Sequence, residues 1–192
     1  MTDDIESLRN EALRKIGRNV VNFQKIETAL KVLIVATKVE GTPNDLASRQ
    51  ANKAAAIHNQ TLGALAEAFY KHVYKDGGSS EGSENPSDIW ISTSFGIEGD
   101  PTAIKEEKRT LLALVAERNK LIHKDLGSFD HNSVESCSHL IAVLDEQNKR
   151  ILQQLDRLKW IIDIYKQVAE EVREWIDSDE FLQLLQRELH GT

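Results

Sequence analysis

The chain has 192 residues, 24 basic and 31 acidic, so its formal net charge is −7, and 40% of its residues are apolar. This apolar share excludes a disordered chain, and the length predicts a single domain over residues 1–192. No apolar run approaches the roughly 20 residues of a membrane span, and the acidic amino terminus does not resemble a secretory signal. A lone cysteine, Cys137, excludes an internal disulfide. We therefore expect a cytoplasmic protein with no membrane partner.

Helical patterns fill the first part of the chain. Apolar residues at spacings of three, four and seven predict a helix over about residues 3–39, which Gly41 and Pro43 end. A second helical stretch is predicted over about residues 44–74. Within it, Thr61 has the character of an N-cap and predicts a fresh helix start.

The middle of the chain predicts an irregular insert rich in glycine and serine, over about residues 76–100. Residues 76–88 are small or polar and predict a flexible loop. Residues 89–97 are β-branched and aromatic. They are compatible with a short strand or hairpin, and equally with an irregular segment lying over the helices.

Three further helices are predicted after the insert. Asp100 and Pro101 open a helix that runs to Lys124, with Leu126 and Gly127 as its stop. A helix over about residues 133–176 and a short terminal one over 178–189, capped by Ser178, complete the chain. The fold class is therefore predicted to be all-α, an up-and-down bundle of four to five long helices.

The predicted 133–176 helix carries the most regular pattern of the sequence. Spacings of four and three connect twelve positions, a heptad seam in which Asn148 alone is polar. Such a helix would be about 65 Å long, whereas a compact chain of this size has a radius of gyration of about 16 Å. It must protrude, kink or run along a partner, which favours a homodimer. Asn148 either sets the register of that pairing or marks a partly exposed end of the seam. The seam positions are Cys137, Ile141, Leu144, Asn148, Ile151, Leu155, Leu158, Ile162, Tyr165, Ala169, Val172 and Ile176.

Common catalytic motifs are absent from the sequence. It contains no phosphate-binding glycine loop, no nucleophile elbow and no zinc-protease motif. His123, His131 and His139 are eight residues apart, a spacing that suits no metal-binding helix face. We therefore expect neither a metal nor a cofactor.

The predicted 101–124 helix ends in a basic polar segment. Asn119 and His123 are four residues apart and are expected to share a helix face that the long side chain of Arg118 can reach. The negative end of the helix dipole favours a protonated His123. Arginine can bind a phosphate with two hydrogen bonds, and histidine can transfer a proton near neutral pH. These residues predict a phosphate site, with Lys120 and Lys124 beside it as candidate RNA contacts.

Charge supports this interpretation, because six basic and three acidic residues give the predicted helix a net charge of +3 in an acidic protein. The spacing from arginine to histidine alone is expected by chance in a chain of this composition. The prediction therefore depends on the neighbouring residues and on their position at a helix end. The alternative is a solvated helix end with an ordinary salt bridge and a capping histidine. The charged residues are Lys105, Lys108, Arg109, Arg118, Lys120 and Lys124 against Glu106, Glu107 and Glu117.

The segment Arg118-Asn119-Lys120-Leu121-Ile122-His123 resembles the Arg-Asn-x-Leu-x-His form of the motif of the HEPN superfamily. The helix pattern is similar over about residues 5–170, but the likeness is specific only over residues 116–124. The resemblance implies a helical bundle with the motif near the end of a late helix. It also implies a metal-independent endoribonuclease, often the toxin of a toxin–antitoxin pair or an antiphage defence effector. The insert at 76–100 and the extended last helix depart from a minimal member.

The resemblance implies a chemistry and a set of partners. Two motifs would meet across a homodimer to form one composite site, where the RNA 2′-hydroxyl attacks the adjacent phosphate. Arg118 would stabilise the phosphate charge, His123 would transfer the proton, and Asn119 would orient either group. An antitoxin protein is a further expected partner.

Two other classes of function stay open at this point. The superfamily also contains non-catalytic members, so one alternative is a HEPN-like module for dimerisation or for nucleotide or RNA binding. The other is an unrelated coiled-coil interaction protein in which Arg118 and His123 are incidental.

Overall fold

The fold is all-α, as the sequence predicts. The computed structural model describes residues 2–74 and 90–190, and every element below belongs to those ranges. The predicted loop 76–88 lies outside them. The helices are α1 (Thr2–Ala36), α2 (Leu46–His58), α3 (Leu62–His72), α4 (Pro101–Lys120), α5 (Leu126–Ser128), α6 (Val134–Ile176) and α7 (Asp179–His190), with a π-helical turn at Leu121–Asp125. Two short strands, β1 (Lys38–Gly41) and β2 (Ile91–Ser94), pair antiparallel.

Side-chain contacts give the direction of α4 relative to α6. Glu107, in the first half of α4, pairs with Arg157 at 3.1 Å. Glu117, near the end of α4, pairs with Arg150 at 2.7 Å, and Arg150 precedes Arg157 in α6. The two helices are therefore antiparallel.

The contacts between α1 and α6 show a different relative direction from those between α4 and α6. Lys15 contacts Asp145, and further along both helices Asn22 donates a hydrogen bond to Asn148 at 3.0 Å. The first and last long helices are therefore parallel. This follows from an up-and-down order of five helices, α1, α2, α3, α4 and α6, because the first and fifth members of an alternating series point the same way.

The main core lies where α1, α3, α4 and α6 meet. Its side chains recur three or four residues apart, because only such positions face inward from one helix. Most of the large ones are completely removed from solvent, which is the main favourable term in folding. The largest fully buried side chains are Phe69, Ile26, Leu30, Leu33, Leu65, Leu111, Leu114, Leu121, Leu144, Ile151, Leu158 and Ile161.

Three helices start at the predicted caps, Thr61, Asp100 and Ser178, and Ser133 is a further cap. In each case a side-chain oxygen accepts a hydrogen bond from a backbone N–H of the first turn, which has no partner within the helix. The cap oxygens belong to Thr61 (from Ala64, 3.3 Å), Asp100 (from Ala103, 2.8 Å), Ser133 (from Ser136, 3.1 Å) and Ser178 (from Phe181, 3.3 Å).

Two boundaries differ from the prediction because the chain forms a small sheet. The first helix ends at Ala36 instead of Val39, since the chain becomes extended as β1 and pairs with β2. Residues 91–97 are not an irregular excursion. The Phe95 N–H donates to the Thr37 carbonyl and the Ile97 N–H to the Val73 carbonyl, both at 2.8 Å. The strand alternative for residues 89–97 is therefore confirmed over β2.

The end of α6 leaves the bundle. The apolar side chains of α6 belong to the core of the bundle as far as Ile162, and the ring of Tyr165 contacts that of Phe95. Residues 166–177 are all exposed. Within this chain the end of the helix therefore protrudes. Among the described helices, none combines the length and apolar character needed to cross a bilayer.

Candidate phosphate-binding site

The predicted site lies where α4 meets the beginning of α6. Leu121, directly after α4, is buried against Leu140 and Leu144 of α6. Ile16 of α1 packs against the same cluster. This apolar contact fixes the end of α4, and with it the position of the polar residues on either side of Leu121.

The polypeptide makes a π-helical turn at the motif itself. The Leu126 N–H donates to the Leu121 carbonyl, five residues earlier. A wider turn brings residues five apart to the same side, so Leu121 and Leu126 both pack on the apolar cluster. Such turns are frequent at functional sites, and this one contains His123.

The helix also continues beyond its predicted end. It was expected to stop at Leu126 and Gly127, but α5 extends to Ser128. Gly127 does not adopt the left-handed conformation of a glycine cap. The Ser128 hydroxyl instead donates to the Lys124 carbonyl at 3.1 Å, and the chain becomes extended at Phe129, which packs on the apolar cluster.

Arg118 and Asn119 are in direct contact. The half-buried Arg118 guanidinium donates a hydrogen bond to Asn119 Oδ1 at 3.2 Å. Within the described residues Arg118 forms no salt bridge. Its charge is therefore neutralised by no carboxylate of the described chain, and the amide of Asn119 holds one edge of the guanidinium in place.

The carboxylate of Glu117, next to Arg118 in the sequence, is already paired with other residues. Glu117 accepts a hydrogen bond from Arg150 at 2.7 Å and a longer one, 3.5 Å, from Gln147. Gln147 in turn accepts from the fully buried Asn19 of α1 at 3.0 Å. This buried polar chain keeps Glu117 turned toward α6 and away from its neighbour Arg118.

Lys120 and Lys124 have different surroundings. Both are exposed. Lys120 pairs with Asp125 at 3.2 Å across the π turn, so part of its charge is compensated. Lys120 and Asp125 also line a small cleft of about 220 Å³ between α5 and the start of α6, together with Phe129, Ser136 and His139.

His123 is exposed on the π turn. Its imidazole has no hydrogen bond or ion pair with any described residue. Asn119 and His123 are not hydrogen-bonded to each other, and the π turn at Leu121–Asp125 begins between Asn119 and the end of the motif. Within one chain Arg118 and Asn119 come together, and His123 does not join them by hydrogen bonding.

The arrangement offers an uncompensated cation and an accessible proton carrier at one helix end. A phosphate can accept hydrogen bonds from the guanidinium, and an exposed imidazole can exchange protons with a bound ligand. In the described part of the chain, no group of three or more histidine, cysteine, aspartate or glutamate residues is close enough together to hold a metal ion.

Sequence reasoning missed the residues that support this site from behind. Asn19, Gln147 and Arg150 lie on other helices, and their only signal is that Asn19 and Gln147 are polar residues within otherwise apolar stripes. Asn148, predicted to set the register of a dimer seam or to mark its partly exposed end, is partly exposed and accepts a hydrogen bond from Asn22 of the same chain.

The chain matches no protein-family model, no curated protein and no solved structure.

Proposed function

We propose that this chain is a metal-independent endoribonuclease. The observation that carries the proposal is the contrast within one helix end: Glu117 is held by Arg150, whereas Arg118 has no carboxylate partner among the described residues. A helix end stabilised only by ordinary salt bridges would be expected to pair both. An arginine left available beside an exposed histidine suits a ligand that is anionic and that gains or loses a proton.

RNA meets both requirements and brings its own nucleophile. The 2′-hydroxyl oxygen attacks the adjacent phosphorus while a base takes its proton. The bond from phosphorus to the 5′-oxygen then breaks, and an acid protonates that oxygen. Arg118 stabilises the charge on the non-bridging oxygens, His123 serves as base or acid, and Asn119 positions Arg118. Lys120 and Lys124 are placed to contact neighbouring phosphates.

One His123 cannot supply both proton transfers at the same moment. A homodimer with two motifs facing each other gives one histidine as base and the partner's His123 as acid. This composite site also explains how Arg118 and His123 can act together although they are not hydrogen-bonded within one chain. We therefore include the homodimer in the proposal.

The proposed role is that of a cytoplasmic toxin of a toxin–antitoxin pair or of an antiphage defence effector. Cleavage of cellular RNA would arrest growth, and an antitoxin protein would relieve it. This part rests on the resemblance of residues 118–123 to the HEPN motif.

A second candidate, a non-catalytic module for dimerisation or for nucleotide or RNA binding, is favoured by one observation. Arg118 can hold a phosphate without His123, and these two side chains do not touch in one chain. Binding without cleavage would distinguish this module from the enzyme.

Purified variants separate these proposals. His123→Ala and Arg118→Ala should each lower the RNA cleavage rate by at least about a hundredfold, the usual effect of losing a placed proton carrier or charge clamp. The matched controls are His131→Ala and Arg109→Ala, which remove an exposed histidine and an exposed arginine outside the motif. Cleavage that survives in folded His123→Ala would contradict the proposed catalytic role of His123. RNA binding without cleavage by the wild type would support the non-catalytic module.

A further inference from the structure

We infer that the projecting end of the chain is an arm that binds a second copy of the same chain. The arm is defined as residues 166–187, the end of α6 and most of α7. The arm of one copy binds an apolar groove at the end of α1 in the other copy. The inference concerns a surface remote from the motif and does not require that the motif cleaves RNA.

The arm exposes more apolar surface than its own chain covers. Scattered exposed apolar residues are normal, but a cluster on one projecting segment is typical of an interaction surface. Trp175 is 46% exposed and Leu182 52% exposed, although the Trp175 ring contacts Phe181 at 4.7 Å. The large exposed apolar side chains of the arm are Val168, Val172, Trp175, Ile176, Leu182 and Leu184.

The apolar stripe of α6 explains the position of these residues. The same stripe that packs on α1 through Leu158 continues along α6 beyond the level where α1 ends. In α6, Val168, Val172 and Trp175 are four and three residues apart and so lie on one side of the helix. An apolar stripe without a partner among the described residues of its own chain is expected to find one in another chain.

The groove lies at the base of the arm. It has a volume of about 520 Å³ and is lined mainly by apolar side chains of α1, β1 and α2, with Tyr165 of α6 at one side. The larger apolar lining residues are Val32, Val35, Val39, Ile57 and Tyr165, with Ala36 and Ala54 between them.

Charge favours the arm as the occupant. Residues 166–187 contain six acidic and three basic residues, a net charge of −3. The lining of the groove includes Lys31 and His58 and no acidic residue. An acidic amphipathic segment and a basic-edged apolar groove are complementary in both properties.

Dimensions fit a reciprocal arrangement. From Tyr165 at the base of the arm to Asp177 at its turn the helix rises about 18 Å. Two arms can lie antiparallel, side by side, around a twofold axis near Val172. The turn at Asp177 of each arm then lies beside Tyr165 at the base of the other arm. Each α7 then reaches the partner's groove, and the twofold axis doubles every contact.

This surface is separate from the proposed active site. Leu140, which packs against the motif segment, and Tyr165, which lines the groove, are 25 residues apart along α6, a rise of about 37 Å. Loss of arm pairing should therefore lower the mass of the assembly by half without depending on His123 chemistry.

Sedimentation equilibrium of the full chain tests the inference. Val172→Asp should halve the mass that wild-type protein shows at micromolar concentration, because a carboxylate would be buried at the twofold axis. Leu152→Asp is the matched control, since Leu152 is an exposed apolar residue on the body of α6. It should leave the mass unchanged. Equal masses for wild type and Val172→Asp would overturn the inference.

Cross-linking identifies the occupant of the groove. The native Cys137 is fully buried. A chain with Val35→Cys in the groove and Leu184→Cys on the arm is treated with a short bis-maleimide. We expect a covalent dimer on a denaturing gel. A link within one chain would show that the arm covers its own groove, and absence of any link would show that the arm binds elsewhere. Either result would overturn the inference, whatever the outcome of the cleavage assays.

Discussion

Arg118 differs from the other arginines around it in its partner. Arg109, Arg150 and Arg157 each pair with a glutamate, whereas Arg118 bonds only the Asn119 amide in the described part of the chain. A neutral partner holds a guanidinium in position without cancelling its charge. This is the arrangement that an anion-binding residue requires.

Asn119→Ala tests this division of roles. The variant should lower the RNA cleavage rate by about tenfold, because it removes one hydrogen bond to a charged group but leaves the charge in place. The rate constants of Asn119→Ala and Arg118→Ala are compared under identical conditions. A loss as large as that of Arg118→Ala would mean that Asn119 takes part in the reaction directly.

Asp145 gives a second prediction at the residue scale. Its hydrogen bond from Lys15, followed by that from Arg18, lowers the pKa of this carboxyl. A lowered folded-state pKa stabilises the protein above the unfolded pKa of about 4, and the contribution is lost as the pH falls through the folded value. Wild type should therefore be more stable than Asp145→Asn at pH 7, and the difference should shrink below about pH 4.

Denaturant midpoints measured for both proteins from pH 7 to pH 2 check this. Glu11, whose pKa is lowered to about 2 chiefly by its hydrogen bond with Arg14, is present in both proteins. A difference in midpoint that stays constant over this range would contradict the proposed role of Asp145.

At the scale of elements, a buried polar layer joins α1 and α6. Asn19 is fully buried and donates to the Leu144 carbonyl at 2.8 Å and to Gln147 at 3.0 Å. Because hydrogen bonds need matched positions, this layer favours one register between two otherwise apolar helices. It also connects α1 with Glu117, one residue before Arg118.

Asn19→Ala should lower the free energy of unfolding by about 1–3 kcal/mol, since buried groups of Leu144 and Gln147 lose their partner. Urea unfolding measures it, with Gln24→Ala at an exposed position of α1 as the control. The control should stay within about 0.5 kcal/mol of wild type. An effect of Asn19→Ala no larger than that of the control would show that the polar layer does not stabilise the fold.

The elements that the sequence predicts correctly are those governed by local rules. Thr61, Asp100, Ser133 and Ser178 start helices because a cap needs only its own first turn. β1 was missed because its hydrogen bonds come from β2, more than fifty residues later. The π turn was missed because it follows from packing of Leu121 and Leu126 against α6. Their spacing of five was the one signal that could have indicated it.

The same distinction applies to the candidate site. The residue types and the helix end were predictable from residues 118–123 alone. The partners were not, because Arg150 and Gln147 reach Glu117 from another helix. Asn148 shows the limit most clearly: its place in the heptad was correct, but its partner, Asn22, depends on which helix lies opposite.

At the scale of the whole molecule, the bundle separates two surfaces. The motif lies at the end of α6 that begins with Val134, and the arm extends from the other end. If both surfaces pair, the chain assembles beyond a dimer, with RNA contacts at one interface and arm contacts at the other. The proposed chemistry depends only on the first.

The termini of the RNA products test that chemistry most directly. Total cellular RNA is incubated with purified wild-type protein in excess EDTA, and the new ends are identified by mass spectrometry and 5′-end labelling. We predict 2′,3′-cyclic phosphates and 5′-hydroxyls, absent from a parallel digest with His123→Ala. Products with 3′-hydroxyls and 5′-phosphates, or the same ends produced by His123→Ala, would contradict the account.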